Sequence, residues 1–221
     1  HNVQYAAMVE AVDENVGKVM GLLDSLKIAD NTLVIFTSDN GGLSVKEGPR
    51  TPATTNSPYR GGKGYIYEGG IREPFIVWWP KGIKDKGVVS NSPVIGCDVF
   101  PTIADLLDQE AGDVDGVSLL PQIKNSEKLP ERALFWHYPH YSNQGGTPAS
   151  AVRKGRYKLI QFLEDGHYEL YDLVSDRTET KDIAGSMPGK VKELSELLLG
   201  WRQATGAKMP VPNPEYQPQS N

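Results

Sequence analysis

From Tyr5 onward the apolar positions Met8, Val9, Val12, Val16, Val19, Met20, Leu23 and Leu26 recur at steps of three and four, the spacing that lays one stripe along a helix. The pattern predicts a single long helix over residues 3–27 with one buried face. Asp30-Asn31 is a turn signal, and the run 32–37 behind it is short, β-branched and nearly all apolar. Such a run predicts a strand covered on both faces, here a central parallel one. A long helix feeding a strand through a short turn is the αβ half of a doubly wound fold, where ligands collect at the carboxyl ends of strands. Ser38-Asp39-Asn40-Gly41-Gly42 stands at that end.

Residues 43–64 carry Gly, Pro, Ser and Thr without a period, which predicts a long surface excursion of the kind kept for binding or catalysis. The run 73–80 predicts a second buried strand that Pro80 ends. A helix follows over about 97–108, with Ile103, Leu106 and Leu107 as its core stripe, and 122–131 reads as a linker. Beyond it the period changes. Short strands are predicted at 133–138, 150–153, 157–162 and 168–173, with Glu164-Asp165-Gly166 as a hairpin turn. Val191, Leu194, Leu197, Leu198 and Trp201 give one closing helix, and the Pro-rich stretch from Met209 an extended strap. The fold class is therefore α/β: part of a doubly wound mixed sheet flanked by helices, then a small antiparallel sheet with a carboxyl-terminal helix. The expected domains are 1–125 and 126–221.

Composition narrows the function. The 221 residues carry 23 Lys and Arg against 28 Asp and Glu, a net charge of −5, which offers no electrostatic footprint for nucleic acid. The longest apolar runs, 5–9 and 75–79, fall far short of the roughly 20 residues that a membrane span needs. One cysteine, Cys97, excludes an internal disulfide framework and a cysteine-cluster zinc site, and reads as a small buried core thiol. The chain opens on His1-Asn2 with no initiator Met and no signal-like segment, as a processed or excerpted chain would.

Two constellations could carry chemistry. Asp39 and Asn40 offer a carboxylate and an amide oxygen, hard donors suited to Ca²⁺ or Mg²⁺. Neighbouring side chains on a strand point to opposite faces, so both reach one ion only where the backbone turns, which Gly41 and Gly42 permit. The alternative is a plain Asx turn closing the strand. In Arg60-Gly61-Gly62-Lys63-Gly64, glycines let the backbone approach an anion while Lys63 supplies a compact positive charge for sulfate or phosphate. The Walker spacing is absent, and a mobile loop is the alternative. Arg72 and Glu68 tie the loop together. His137 and His140 flank Pro139, which argues against a helical metal pair. Mixed with aromatic side chains they suit a sugar platform, or else a surface aromatic cluster packing the sheet.

Ser38-Asp39-Asn40-Gly41-Gly42, then Gly61-Gly62-Lys63-Gly64, Glu68-Gly69-Gly70-Ile71-Arg72-Glu73-Pro74 and Trp79-Pro80 together resemble the type I sulfatases of the alkaline phosphatase superfamily. Further similarity lies in Tyr5-Ala6-Ala7-Met8-Val9-Glu10, in Asp98-Val99-Phe100-Pro101-Thr102 and in residues 151–159. The resemblance implies a sulfuric ester hydrolase acting on a sulfated carbohydrate or aryl sulfate. It implies that Asp39 and Asn40 are two calcium ligands and that Lys63 binds the sulfate group as a catalytic residue, with His137 and His140 towards the substrate. It also implies a formylglycine nucleophile made from the cysteine of a C-x-P-S-R motif. That motif is not among these residues, and Cys97 has no Pro-Ser-Arg after it. The chain thus resembles the carboxyl-terminal half of such an enzyme. Its expected partner is the amino-terminal half, and an uncovered sheet edge would favour self-association. Periplasmic, extracellular or lysosomal residence is implied by the family alone. The competing readings are a phosphodiesterase or phosphonate hydrolase of the same superfamily and a non-catalytic glycan-binding remnant.

Overall fold

The structure is a computed structural model that describes residues 2–211 and 213–215. The extended strap expected beyond Met209 falls partly outside the described residues. The chain divides into two compact units, His1–Asp39 with Glu73–Glu131, and Asn40–Arg72 with Arg132–Asn221. The expected boundary at 125/126 left the excursion with the first unit; the chain instead groups Asn40–Arg72 with the carboxyl-terminal sheet.

In the first unit, α1 (Val3–Ser25) starts where the Asn2 side chain accepts the N–H of Tyr5 at 2.9 Å, satisfying one of the donors a helix start leaves open. The helix is present but its expected buried face is not, for α1 has no buried residue in this chain. Met8, Val9, Val12, Val16 and Val19 are all exposed. β1 (Val34–Thr37) pairs antiparallel with β2 (Phe75–Trp78), in the register Thr37↔Phe75. This corrects the expectation of a parallel strand. A continuous apolar run reports cover on its faces, not the direction of its neighbour. Phe36 and Ile76 remain exposed here. α3 (Val99–Leu106) is preceded by a single 3₁₀ turn, and α4 (Leu120–Asn125) occupies the start of the expected linker. Buried Asp98 ties the turn ahead of α3 to the segment ahead of α4, accepting the N–H of Ile95 at 2.9 Å and of Val117 at 3.0 Å. Cys97 is exposed, not buried as expected, because it lies in the turn ahead of α3 rather than on that helix's apolar stripe.

The second unit contains α2 (Glu68–Ile71) and a meander of β3 (Ala133–Tyr138), β4 (Ala149–Lys154), β5 (Tyr157–Phe162) and β6 (Tyr168–Asp172), each strand antiparallel to the next. α5 (Pro188–Thr205) follows. Successive side chains leave a strand on opposite faces, and the register Val152↔Leu159↔Leu170 puts three apolar residues on one of them. Leu194 and Leu198 of α5 close over that face. Each such side chain stabilises the unit by roughly 1.5–3 kcal/mol. The other face, carrying Ala149, Ala151 and Ile160, is covered by Tyr67 together with Tyr65 and Ile66. Residues 65–67, which follow the stretch without a period, are therefore the second cover of the sheet.

Candidate functional site

Asp39 and Glu73 lie two positions beyond the last pair of the β1–β2 ladder, Thr37↔Phe75, one on each strand's continuation. Burial raises the Glu73 carboxyl above the usual range, and the Asp39 charge raises it further. One Glu73 oxygen, Oε1, is buried without a hydrogen-bond partner. A hard cation would suit this pair of facing carboxylates. Among the described residues, however, no group of three or more His, Cys, Asp or Glu side chains forms a metal cage. The donors present suit calcium in kind, but a Ca²⁺ ion takes about six to eight oxygens and would need others.

In the second unit, Asn40, Gly41 and Gly42 meet the Lys63 loop through the backbone. The N–H of Lys63 donates to the Gly42 carbonyl at 3.2 Å, and the N–H of Gly41 donates to the Gly70 carbonyl at 3.1 Å. Asn56 fastens the junction. Its Oδ1 accepts the Gly42 N–H at 2.9 Å, and its Nδ2 donates to the carbonyls of Gly42 at 2.9 Å and Gly61 at 3.1 Å. Ser44 Oγ adds a bond to the Gly61 carbonyl at 3.3 Å. Sequence reasoning missed Asn56, because a polar residue in an aperiodic stretch carries no signal of what it bonds 14 residues away.

The glycines are needed for this approach. A Cβ at Gly41 would lie 1.9 Å from the Gly69 carbonyl oxygen, and one at Gly62 would lie 2.6 Å from that of Gly42. Both segments touch backbone to backbone. Asn40 Nδ2 donates to the Gly41 carbonyl at 3.0 Å, which fixes the plane of its amide. The Lys63 side chain is exposed, so its ammonium keeps its hydration and can exchange it for an anion.

The loop between β3 and β4 lies beside Lys63. A Cβ at Gly146 would be 1.8 Å from the Gly64 carbonyl oxygen. Asn143 Nδ2 donates to Glu47 Oε1 at 2.7 Å, and the Gln144 amide donates to the same oxygen. His140 is exposed and packs edge-on against Tyr138, ring centroids 5.5 Å apart. His137 stands differently: Nδ1 bonds Ser150 Oγ at 2.7 Å and Nε2 bonds the Lys208 carbonyl at 2.8 Å, so both ring nitrogens are engaged within the fold.

Residues 3–109 match the Sulfatase family model, and residues 61–201 match the model described as N-sulphoglucosamine sulphohydrolase, C-terminal. A Sulfatase of Formosa agariphila is 34% identical over 206 residues, covering 84% of this chain and 36% of that protein. An N-acetylglucosamine-6-O-sulfatase of Bacteroides thetaiotaomicron is 33% identical over 202 residues, covering 88% of this chain and 34% of that protein. A structure solved in complex with its substrate D-glucosamine-2-N,6-O-disulfate superposes with a TM-score of 0.72 at 31% identity, covering 88% of this chain and 39% of that one. The chain thus spans about a third of the length of these curated relatives. With its α/β elements, its four-stranded antiparallel sheet and closing helix, and family matches that together run from residue 3 to 201, the chain belongs to the sulfatase family.

Proposed function

We propose that this chain is the carboxyl-terminal part of a sulfuric ester hydrolase acting on sulfated carbohydrate. The observation that carries the reading is the junction of Asn40-Gly41-Gly42 with Gly61-Gly62-Lys63, held by three hydrogen bonds of Asn56. It anchors a hard oxygen donor and an exposed ammonium to one piece of backbone. Lys63 binds a sulfate oxygen as a point charge, and it strengthens that contact as charge gathers on the leaving ester oxygen and the sulfonyl group. Asp39 and Asn40 would hold a calcium ion together with ligands from outside this chain, and such an ion would supply Lewis-acid stabilisation of charge on the sulfate oxygens.

The polar loop after β3 gives substrate selection. Asn143 and Gln144, orienting on Glu47 next to Lys63 and Gly64, present amides that suit sugar hydroxyls. His140 offers an exposed ring at the same loop, packed on Tyr138, while His137 is held within the fold by Ser150 and Lys208. The nucleophile comes from the amino-terminal part of the protein, as a formylglycine, and the same part covers the exposed apolar stripe of α1 and the faces of β1 and β2.

The test is sulfate release. The protein carrying its amino-terminal part should release sulfate from a 6-O-sulfated hexosamine and leave an aryl phosphodiester intact, while these 221 residues alone should release none. Preferred cleavage of the phosphodiester would replace the reading with its superfamily rival. Glycan binding without turnover by the longer protein would support a remnant instead.

A further inference from the structure

Beneath the Lys63 loop lies a set of buried charges that the proposed chemistry does not use. Lys158 of β5 is fully buried, and its Nζ donates to Glu179 Oε1 at 2.8 Å and to Glu68 Oε1 at 3.2 Å. Both carboxylates are buried too. Glu179 Oε2 accepts the backbone N–H of Glu68 at 2.6 Å. Arg153, opposite Lys158 in the β4–β5 register, stands 3.7 Å from Glu68 Oε2, and Arg72 stands 3.6 Å from it. Arg60 donates to the Glu179 carbonyl at 3.0 Å and to the Tyr171 hydroxyl at 2.8 Å, and its guanidinium lies 3.8 Å over the Tyr67 ring.

These contacts fall at one place in the loop. The Gly69 N–H donates to the Arg60 carbonyl at 2.9 Å, which closes residues 60–69 into a loop with Lys63 on its arm. Arg60 and Glu68 are the two sides of its neck. Each is held by Glu179, and Lys158 bridges the carboxylates of Glu68 and Glu179, with Arg72 and Arg153 adding positive charge at Glu68. Buried ions are poor at adding stability, because desolvation offsets their attraction; what they add is a unique arrangement, since every alternative leaves a charge unpaired. We propose that Lys158, acting through Glu68 and Glu179, is a positioning residue that clamps the neck of the Lys63 loop onto the four-stranded sheet. The proposal rests on reading Lys63 as the sulfate-binding group.

The experiment compares amide hydrogen exchange in the full chain, wild type against Lys158→Met, Lys158→Arg and Leu159→Ala. Leu159 is the neighbouring residue on the opposite face of the sheet, so its truncation weakens the same strand without touching the clamp. In Lys158→Met, exchange at the amides of Lys63, Tyr65, Gly69 and Gly70 should speed up about tenfold or more relative to those of β4 and β5, the loss expected of a hydrogen bond to a charged group. Lys158→Arg should recover part of the protection. Leu159→Ala should speed the sheet without that excess in the loop. Wild-type exchange of the loop in Lys158→Met, or loop and sheet speeding up by one common factor as in Leu159→Ala, overturns the clamp. Should Lys158→Met fail to fold, Glu179→Gln decides, since it keeps the side chain's shape and removes the charge that joins Lys158 to the Glu68 N–H: selective loosening of the loop supports the clamp, and unchanged exchange overturns it. Titrating inorganic sulfate into the wild type and following the Lys63 amide separates the two readings. A silent Lys63 amide removes the sulfate assignment and leaves the exchange result to judge the clamp.

Discussion

Replacing Gly41 by alanine tests whether the two glycine-rich segments meet as tightly as described. The added Cβ would fall 1.9 Å from the Gly69 carbonyl oxygen and 3.0 Å from Gly70 Cα, both backbone atoms that no rotamer change can move aside. The segments must part by about 1.5 Å to reach an ordinary carbon–oxygen contact. That movement strains the bond from the Gly41 N–H to the Gly70 carbonyl, now 3.1 Å. Overpacking of this kind costs about 1–3 kcal/mol and a lost hydrogen bond about 0.5–1.5 kcal/mol, so the second unit should lose about 2–4 kcal/mol. With a urea m-value of about 2 kcal/mol/M, the midpoint read from the amide signals of β4 and β5 should fall by about 1–2 M. Gly17→Ala is the control. It lies in α1 with nothing within 4 Å of its added Cβ, and it should stabilise that helix by about 0.5–1 kcal/mol. A Gly41→Ala midpoint within about 0.2 M of wild type would mean that the junction is looser than its geometry states, and the argument for a shared site would go with it.

Lys63→Ala in the longer protein should lower the rate of sulfate release by about 10²–10³-fold, as removal of one charge-stabilising donor does, with an unchanged melting temperature because the side chain is exposed. Asp172 gives a pH test: hydrogen bonding from Arg156, helped by Ser175 and the Val174 N–H, pulls its carboxyl down to about 2 from an ordinary 3.8. A depressed folded value contributes stability above the unfolded pKa that is lost as pH falls through the folded one, so Asp172→Asn should flatten the fall in urea midpoint between about pH 4 and pH 2. Leu198→Ala, at a fully buried position of α5, should cost about 2–5 kcal/mol by thermal or urea unfolding; a cost under about 0.5 kcal/mol would contradict the packing of α5 on the sheet.

Where side-chain period and turn chemistry act within a few residues, the sequence was legible. Helix α1, the four strands of the meander and α5 all sit within a few residues of their predicted places. The direction of β1 was not legible, since a fully apolar strand has no alternation to show which neighbour it meets. The candidate site divides in the same way. Asp39, Asn40 and Lys63 stand out by residue type beside glycines, whereas Asn56 does not, though it makes three of the bonds that fasten their segments. His137 stood out as an aromatic-flanked histidine, and only its contacts with Ser150 and Lys208 reveal that it is held from both sides.

By itself, the order of residues determined the elements, the family resemblance and the chemistry on offer, because each depends on short-range spacing and residue type. Tertiary structure alone decided that residues 65–67, just after the aperiodic stretch, cover one face of the carboxyl-terminal sheet, and that Lys158, Glu68 and Glu179 share one buried cluster. Glu68 and Lys158 are 90 positions apart along the chain, and a contact at that range is fixed by the mutual exclusion of water and the pairing of buried charge, which no local window contains.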